Sequence, residues 1–397
     1  KSSQLYARTK SKMRIGRNTM TRSITRCVCQ QNTFFFERRD VPSPHPAAPR
    51  RYMFSALSRR INPLVAAPSK QASLRRTRLA SHTHRASVHA SSSMTQKYKE
   101  IREILGAPPR HWVGNGFHVF PVFHNKAFTK ELSPWLMFDY AAPKQFEPSY
   151  EKRGVGQHPH RGFETITIAW QGEVEHGDSV GNRDVIGPGD VQWMTAARGI
   201  IHEEFHSTDF QQTGGTFEMA QLWLNLPKKD KMKKPRYQPI LAKQIPVVPL
   251  KCADDADVEK LSGENTIRVI AGDEETYGCK APAETHSPVE LLDIRIANSK
   301  VPFDVPIPEG HNTIVFVKKG EITVGEKDKK VEQQGVALMH LGGDTLRLTA
   351  TQKNTEVLLL AGEPIDEPIA ARGPFVMNTH EEIAQANKDF MNGKMGR

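Results

Sequence analysis

Two short segments of the sequence carry side chains that could bind one metal ion. His158 and His160 are separated by a single residue, and side chains two apart in an extended strand project from the same face. About forty residues further on, His202 and Glu204 have the same spacing. If both faces point into the interior of the fold, three imidazoles and a carboxylate can meet there. The spacing therefore predicts a mononuclear metal centre made by these four side chains.

Other residues near these segments are open to more than one interpretation. Glu164 is an even number of residues from His158 and His160, so it is predicted on the same face. It is either a further ligand or, as we favour, an acceptor that orients a ligating imidazole by a hydrogen bond to the ring nitrogen that does not bind the metal. His206 continues the alternation of His202, but we favour an edge position for it over a ligand. Seven further histidines lack paired spacing and are predicted to be surface or core residues: His111, His118, His124, His176, His286, His311 and His340.

The types of the four predicted ligands restrict the metal. Imidazole and carboxylate without thiolate suit Fe(II), Mn(II), Ni(II), Cu(II) or Zn(II), and we favour Fe(II). Four ligands leave two positions open on an octahedral ion, where a substrate or O₂ could bind, whereas tetrahedral zinc would be closed. Cys252 and Cys279 are the only cysteines after residue 93 and are too isolated for a thiolate site.

The formal net charge of +11 is an average over two unlike segments. Residues 1–93 hold 19 lysines and arginines against Glu37 and Asp40, while acids outnumber bases in the remainder. The remainder therefore gives no support for direct nucleic-acid binding. It also has no run near the roughly 18 apolar residues of a membrane span, so we expect no membrane association.

The basic segment 1–93 is rich in arginine and serine, and it resembles an organelle transit peptide. We predict a disordered leader that targets a plastid or mitochondrion and is then removed. An untranslated extension and a basic interaction arm are the alternatives, and either would leave the protein in the cytoplasm or nucleus.

The remaining sequence is dominated by short β-rich runs separated by turn residues. The pattern ITIAWQGEVEHG around Gly172 recurs 148 residues later as IVFVKKGEITVG around Gly320, which indicates two copies of one unit. We predict an all-β fold of two tandem jelly-roll barrels, over residues 94–230 and 231–397. Helical signals are few, and the best candidates are Lys97–Leu105 and, after a Thr379 cap, 381–391.

The second copy of the repeat lacks the predicted ligands. Alignment of the two copies on their glycines places Pro306 and Pro308 at the positions of His158 and His160, and Leu348 and Ala350 at those of His202 and Glu204. None of these four side chains binds a metal, so the C-terminal barrel is predicted to be metal-free and structural.

Several segments closely resemble the pirin family of bicupin proteins: HPHRGFETIT, GPGDVQWMTAARGIIHEEF, LWLNLP, AGEPIDEPI and GPFVMNTHEEIAQA. The resemblance runs from about Trp112 to the C-terminus. It implies two cupin barrels with iron in the N-terminal one, held by His158 and His160 of HPHRGFE and by His202 and Glu204 of GIIHEE. Many members have HAE where this chain has a second glutamate, Glu203, and this departure removes no ligand.

The resemblance implies two different functions. Some pirin-like proteins resemble quercetin 2,3-dioxygenases, so our first hypothesis is an Fe(II) dioxygenase that cleaves the ring of a flavonol or similar small aromatic substrate with O₂. Glu204 would then accept the proton of the flavonol 3-hydroxyl. Other members are nuclear co-regulators, so the alternative is an iron-dependent redox sensor that binds a transcription or signalling protein. A zinc-dependent cupin isomerase is a third hypothesis.

Three large side chains near the predicted ligands could line a substrate pocket. Phe163, Trp193 and Met194 lie in or beside the segments that carry the resemblance. We interpret them as ordinary barrel core in preference to pocket wall.

Overall fold

The protein, as a computed structural model, is described over residues 22–30, 33–41, 97–253, 265–325 and 329–396. After residue 96 the strands form two barrels in tandem, each built from a seven-stranded and a four-stranded sheet, and a short helix lies near the C-terminus. The predicted all-β fold of two cupin barrels with a C-terminal helix is confirmed. Two segments of the predicted disordered leader, Arg22–Gln30 and Thr33–Val41, are strands of a two-stranded sheet. Most of the leader lies outside the described residues, so its targeting role, its removal and its destination stay predictions.

The strands of the described residues are numbered here in chain order. They are β1 (Arg22–Gln30), β2 (Thr33–Val41), β3 (Ile101–Leu105), β4 (His111–Val113), β5 (Phe117–Pro121), β6 (Trp135–Phe146), β7 (Gly154–His160), β8 (Phe163–Gln171), β9 (Val174–Asp178), β10 (Arg183–Ile186), β11 (Val191–Thr195), β12 (Ile200–His206), β13 (Gly215–Asn225), β14 (Arg236–Ile240), β15 (Val247–Pro249), β16 (Thr266–Ala271), β17 (Val289–Ile296), β18 (Pro302–Pro306), β19 (Asn312–Lys319), β20 (Ile322–Val324), β21 (Lys329–Val331), β22 (Val336–Met339), β23 (Thr345–Ala350), β24 (Thr355–Gly362), β25 (Ala370–Arg372) and β26 (Phe375–Met377).

The helices of the described residues are short. They are α-helices at Thr208–Thr213, Glu274–Tyr277 and His380–Met391 and 3-10 turns at His124–Lys126 and Ala242–Gln244. The Thr379 side chain accepts a hydrogen bond from the Glu382 backbone N–H, as predicted for the cap of the last helix. No helix in these ranges is long and apolar enough to cross a membrane.

The N-terminal barrel packs the sheet β14-β11-β8-β13-β6-β5-β4 against the sheet β10-β9-β12-β7. Its central strands β8 and β13 are buried along nearly their whole length, as expected for strands covered on both faces. Strands β7 and β12 lie side by side in the smaller sheet. The two segments that carry the predicted ligands are therefore neighbours.

The C-terminal barrel repeats this plan with the sheets β15-β16-β17-β24-β19-β22-β3 and β18-β23-β20-β21. Gly172 follows β8 and Gly320 follows β19 with φ of 76° and 82°, conformations that glycine adopts without strain. Leu348 and Ala350 are buried in the apolar core of this barrel. That the barrel binds no metal stays a prediction.

The predicted helix at Lys97–Leu105 is wrong. Ile101–Leu105 is strand β3, which pairs antiparallel with β22 at the edge of the C-terminal barrel. The open edge of β22 supplies backbone partners that outweigh the helix propensity of so short a segment. Conversely, Arg236–Ile240 lies after the predicted boundary but is an edge strand of the N-terminal barrel, where it pairs with β11. The two barrels thus exchange strands across the predicted boundary at residue 230.

An aromatic cluster joins the two barrels. Phe316 of β19 lies edge-on to Phe138 and Tyr140 of β6, with ring centroids 4.9 and 5.0 Å apart. The Trp135 indole N–H donates to the Ala361 carbonyl at 3.2 Å. One continuous apolar core therefore crosses from barrel to barrel.

Truncation of this cluster should destabilise both barrels together. We expect Phe316→Ala to lower the free energy of unfolding by about 3–5 kcal/mol, because it removes a fully buried ring and leaves a cavity. Urea unfolding followed by fluorescence measures the change. Tyr150→Ala is the control, since Tyr150 is 98% exposed and should shift stability by less than about 0.5 kcal/mol. A Phe316 variant as stable as wild type would show that this core does not couple the barrels.

Candidate metal centre

Three predicted ligands converge on the inner face of the smaller N-terminal sheet. His202 of β12 lies directly opposite His158 of β7 in the antiparallel ladder, and Ile200 lies opposite His160. The ring centroids of the three histidines are 4.3 to 4.8 Å apart. One ligating atom from each lies within 4.8 Å of the others. This imidazole triad could hold one metal ion.

His202 gives the strongest indication that the triad fits a metal. Its side chain is almost fully buried, and neither ring nitrogen has a hydrogen-bond partner among the described residues. Burial lowers the pKa of His202 well below the ordinary value, which keeps the ring neutral and a nitrogen lone pair available. An unpaired buried polar group costs about 1–3 kcal/mol, and a bound cation would satisfy it.

The other two imidazoles are held in the tautomer that a metal requires. His158 Nδ1 lies 2.9 Å from the Gly156 carbonyl oxygen and His160 Nδ1 lies 3.4 Å from that of Pro374. A carbonyl only accepts, so Nδ1 carries the proton and Nε2 keeps its lone pair. Burial lowers the pKa of both rings. Both rings are therefore neutral, with Nε2 available to bind a metal.

Glu204 lies beside the triad but is not among the atoms that cluster within 4.8 Å. The register shift between β12 and β7 places the extra residue in β7, so β12 stays regular and keeps Glu204 on the face of His202. The carboxylate accepts hydrogen bonds from Thr167 Oγ1 at 3.2 Å and from Gln221 Nε2 at 2.7 Å. Its role as a fourth ligand stays a prediction.

Glu164 and His206 are not part of the imidazole triad. The Glu164 carboxylate accepts a hydrogen bond from Thr195 Oγ1 at 2.6 Å, and no imidazole of the described residues hydrogen-bonds to it. Burial raises the pKa of Glu164 to about 7. His206 Nε2 lies 3.0 Å from the Gly116 carbonyl oxygen, its ring stacks on Phe217, and burial lowers its pKa to about 4. His206 therefore belongs to an aromatic cluster outside the triad.

His176 is a neighbour of the centre that the sequence pattern did not single out. Its ring centroid lies 5.4 Å from that of His202. Gln192 Nε2 lies 2.8 Å from Nδ1, and Nε2 donates to Asp178 Oδ2 at 3.1 Å. Both nitrogens are engaged, so the ring lies beside His202 without a nitrogen available for a metal. Only the pairing of Glu204 with His176 between β12 and β9 could have revealed this.

Two histidines of the triad, His158 and His160, line a cleft of about 730 Å³, including its mouth. Its apolar wall comes mainly from β5, β6 and β13, and its polar residues include Glu204, Gln221 and Asp139. Phe163, Trp193 and Met194 are fully buried and do not line it. The lining side chains are instead Val113, Phe117, Val119, Met137, Val155, Pro159, Met219, Trp223 and Pro374, together with His158 and His160.

The C-terminal tail completes the cleft. Pro374 reaches it because Arg161 pairs with the tail, through backbone hydrogen bonds to Pro374 and Val376 and an ion pair with Asp389 at 2.9 Å. The buried Lys231 ammonium donates to the carbonyls of Gly162 at 2.6 Å and Val376 at 3.1 Å. The tail is thus fixed against the strands that carry the triad.

Comparisons with known proteins find relatives that match both barrels. The sequence matches the family model Pirin over residues 116–224 and the model Pirin C-terminal cupin domain over residues 291–396. It is 49% identical over 300 residues to a Pseudomonas aeruginosa protein named "Putative quercetin 2,3-dioxygenase", covering 75% of this chain and 99% of that protein. It is 35% identical over 270 residues to human Pirin, covering 67% and 84%.

A solved structure shares the fold over both barrels. The crystal structure titled quercetin 2,3-dioxygenase from Acinetobacter baumannii superposes with a TM-score of 0.69 at 44% identity, covering 75% of this chain and 99% of that one. The matched length accounts for both barrels and leaves about a quarter of this chain unmatched.

Proposed function

The chain belongs to the pirin family, and from that premise we propose that it is an Fe(II)-dependent dioxygenase that cleaves the ring of a flavonol such as quercetin with O₂. The observation that carries the proposal is the triad of neutral imidazoles, of which His202 has both nitrogens unpaired and the other two line an apolar cleft. The names of the bacterial relatives support the same reaction class.

The residues of the centre would bind the metal ion and the substrate. His158, His160 and His202 would hold the ion, with Glu204 as the proposed fourth ligand. The bound ion would supply a Lewis acid for a substrate oxygen and a redox centre for O₂.

The cleft walls suit a flat aromatic substrate. Met137, Met219 and Trp223 present polarisable and aromatic surface beside the triad. This apolar lining limits water near the reacting atoms. Glu204, held in place by Thr167 and Gln221, is positioned to accept the proton of a substrate hydroxyl that approaches the triad. The deprotonated oxygen is the stronger donor to a cation.

The test is anaerobic loading of the full chain with Fe(II), and in parallel with Mn(II), Ni(II), Cu(II) and Zn(II), followed by metal analysis. Quercetin and O₂ are then added, and oxygen uptake is measured together with loss of the flavonol absorption band. We expect one metal ion per chain. With Fe(II) bound, we expect O₂ uptake to match the loss of quercetin. Stoichiometric iron without turnover of any flavonol would overturn the dioxygenase and favour the redox-sensing alternative, and bound zinc without oxygen uptake would favour an isomerase.

A further inference from the structure

Asp139 is an acidic side chain in the cleft for which the metal centre gives no role. It lies on β6, directly opposite Gln221 of β13 in the ladder, and its side chain lines the cleft together with Glu204. No hydrogen bond or ion pair joins its carboxyl group to any of the described residues. Glu204, by contrast, already accepts one hydrogen bond on each oxygen.

Asp139 is only partly exposed, and its surroundings are largely apolar. Its neighbours on β6, Phe138 and Tyr140, are buried, and Val119 and Met219 line the cleft from the strands on either side. The titratable groups that face the same cleft are His158, His160 and Glu204, and none of them is a cation, because burial keeps the two rings neutral. Burial raises the pKa of Asp139 to about 7.

A carboxyl group that lines an apolar cleft without a protein partner is typical of a ligand-binding position. An apolar cleft fixes the orientation of an aromatic ligand through a few polar groups. The triad and Glu204 supply one such group of contacts, and Asp139 supplies a separate acceptor. A carboxyl oxygen with unused lone pairs matches a hydroxyl donor.

We propose that Asp139 is a specificity-determining residue that accepts a hydrogen bond from a second hydroxyl group of the substrate, so that the cleft selects polyhydroxylated aromatic compounds over those with a single hydroxyl. This inference rests on the proposed function, because it takes the first hydroxyl to be the one that approaches the triad. It adds a substrate class that the triad alone does not define.

Two ligands and two variants test the proposal without turnover. Quercetin carries several hydroxyl groups, whereas 3-hydroxyflavone carries only the one expected at the triad. Their dissociation constants are measured anaerobically on the zinc-loaded full chain by quenching of tryptophan fluorescence, for wild type, Asp139→Asn and Asp139→Leu. We expect wild type to prefer quercetin, and Asp139→Leu to weaken quercetin binding about 10- to 100-fold while 3-hydroxyflavone changes less than about 2-fold. The Asn variant should fall between them.

The stability of the Asn variant provides a second readout. The pKa of Asp139 is raised above its unfolded value, so its cost to folding is absent at about pH 4 and complete above about pH 7. Asp139→Asn should therefore unfold at a higher temperature than wild type at pH 8 and at the same temperature at pH 4. The control Asp366→Asn should change neither melting temperature nor binding, because the Asp366 side chain is 94% exposed.

The outcomes separate the two proposals. Equal losses for both flavonols in Asp139→Leu, or equal affinities in wild type, would overturn the role of Asp139 and leave the proposed function standing. A less stable Asn variant at pH 8 would show a structural role instead. Failure of wild type to bind either flavonol would overturn the proposed function and this inference together.

Discussion

Replacing His202 by leucine is expected to lower the affinity for Fe(II) by more than about 100-fold and, in the metal-free protein, to raise the free energy of unfolding by about 1–3 kcal/mol. The first effect follows from the loss of one of three converging imidazoles. The second follows because wild type buries two ring nitrogens without partners and leucine of similar size buries none. Equilibrium dialysis measures the affinity, and urea unfolding with a chelator present measures the stability.

His206→Leu is the matched control on the same strand. His206 is equally buried, but its Nε2 contacts the Gly116 carbonyl and its ring packs in an aromatic cluster. We expect that variant to lose stability without a change in Fe(II) affinity. If His202→Leu binds iron as tightly as wild type, His202 is not a ligand. If the metal-free variant is less stable than wild type, the unpaired imidazole of His202 does not destabilise the metal-free protein.

The triad could be predicted from sequence because it depends on a local rule. Alternation along a strand predicted that His158 and His160 share one face of their strand, and that His202 and Glu204 share one face of theirs. The two faces meet because β7 and β12 are neighbours in the sheet. The sequence pattern predicted the two strands but not which strands pair. The repeat around Gly172 and Gly320 also depends on a local feature, because each glycine follows a strand with a positive φ. The recurrence of this strand and turn predicted two barrels.

The parts that were not predicted all depend on long-range pairing. Pro374 reaches the cleft from more than 200 residues beyond His160, because Arg161 binds the tail. Asp139 and Gln221 meet only through the register of β6 with β13. Ile101–Leu105 is a strand because β22 has an open edge. Periodicity within a segment carries no information on which distant edge or wall that segment will contact.

Replacing Glu204 by glutamine is expected to reduce flavonol turnover by about 10²- to 10⁴-fold, the range for loss of a positioned proton acceptor. The amide has nearly the same shape but cannot take a proton from the substrate hydroxyl. Because the three histidines cluster without Glu204, we expect the variant to retain measurable bound iron. Turnover is measured as oxygen uptake with quercetin, and iron content is determined on the same sample.

Glu203→Gln is the internal control for this substitution, since it makes the same change one residue away on the opposite face of β12. The Glu203 carboxylate pairs with Arg183 at 2.8 Å on the outer surface, so its loss should alter turnover by less than about 2-fold. Turnover of Glu204→Gln within tenfold of wild type would eliminate Glu204 as the proton acceptor. Loss of iron together with turnover would show that Glu204 acts mainly as the proposed fourth ligand, because removal of a ligand weakens metal binding by the three imidazoles. Loss of turnover with iron retained would assign the larger effect to its role as proton acceptor.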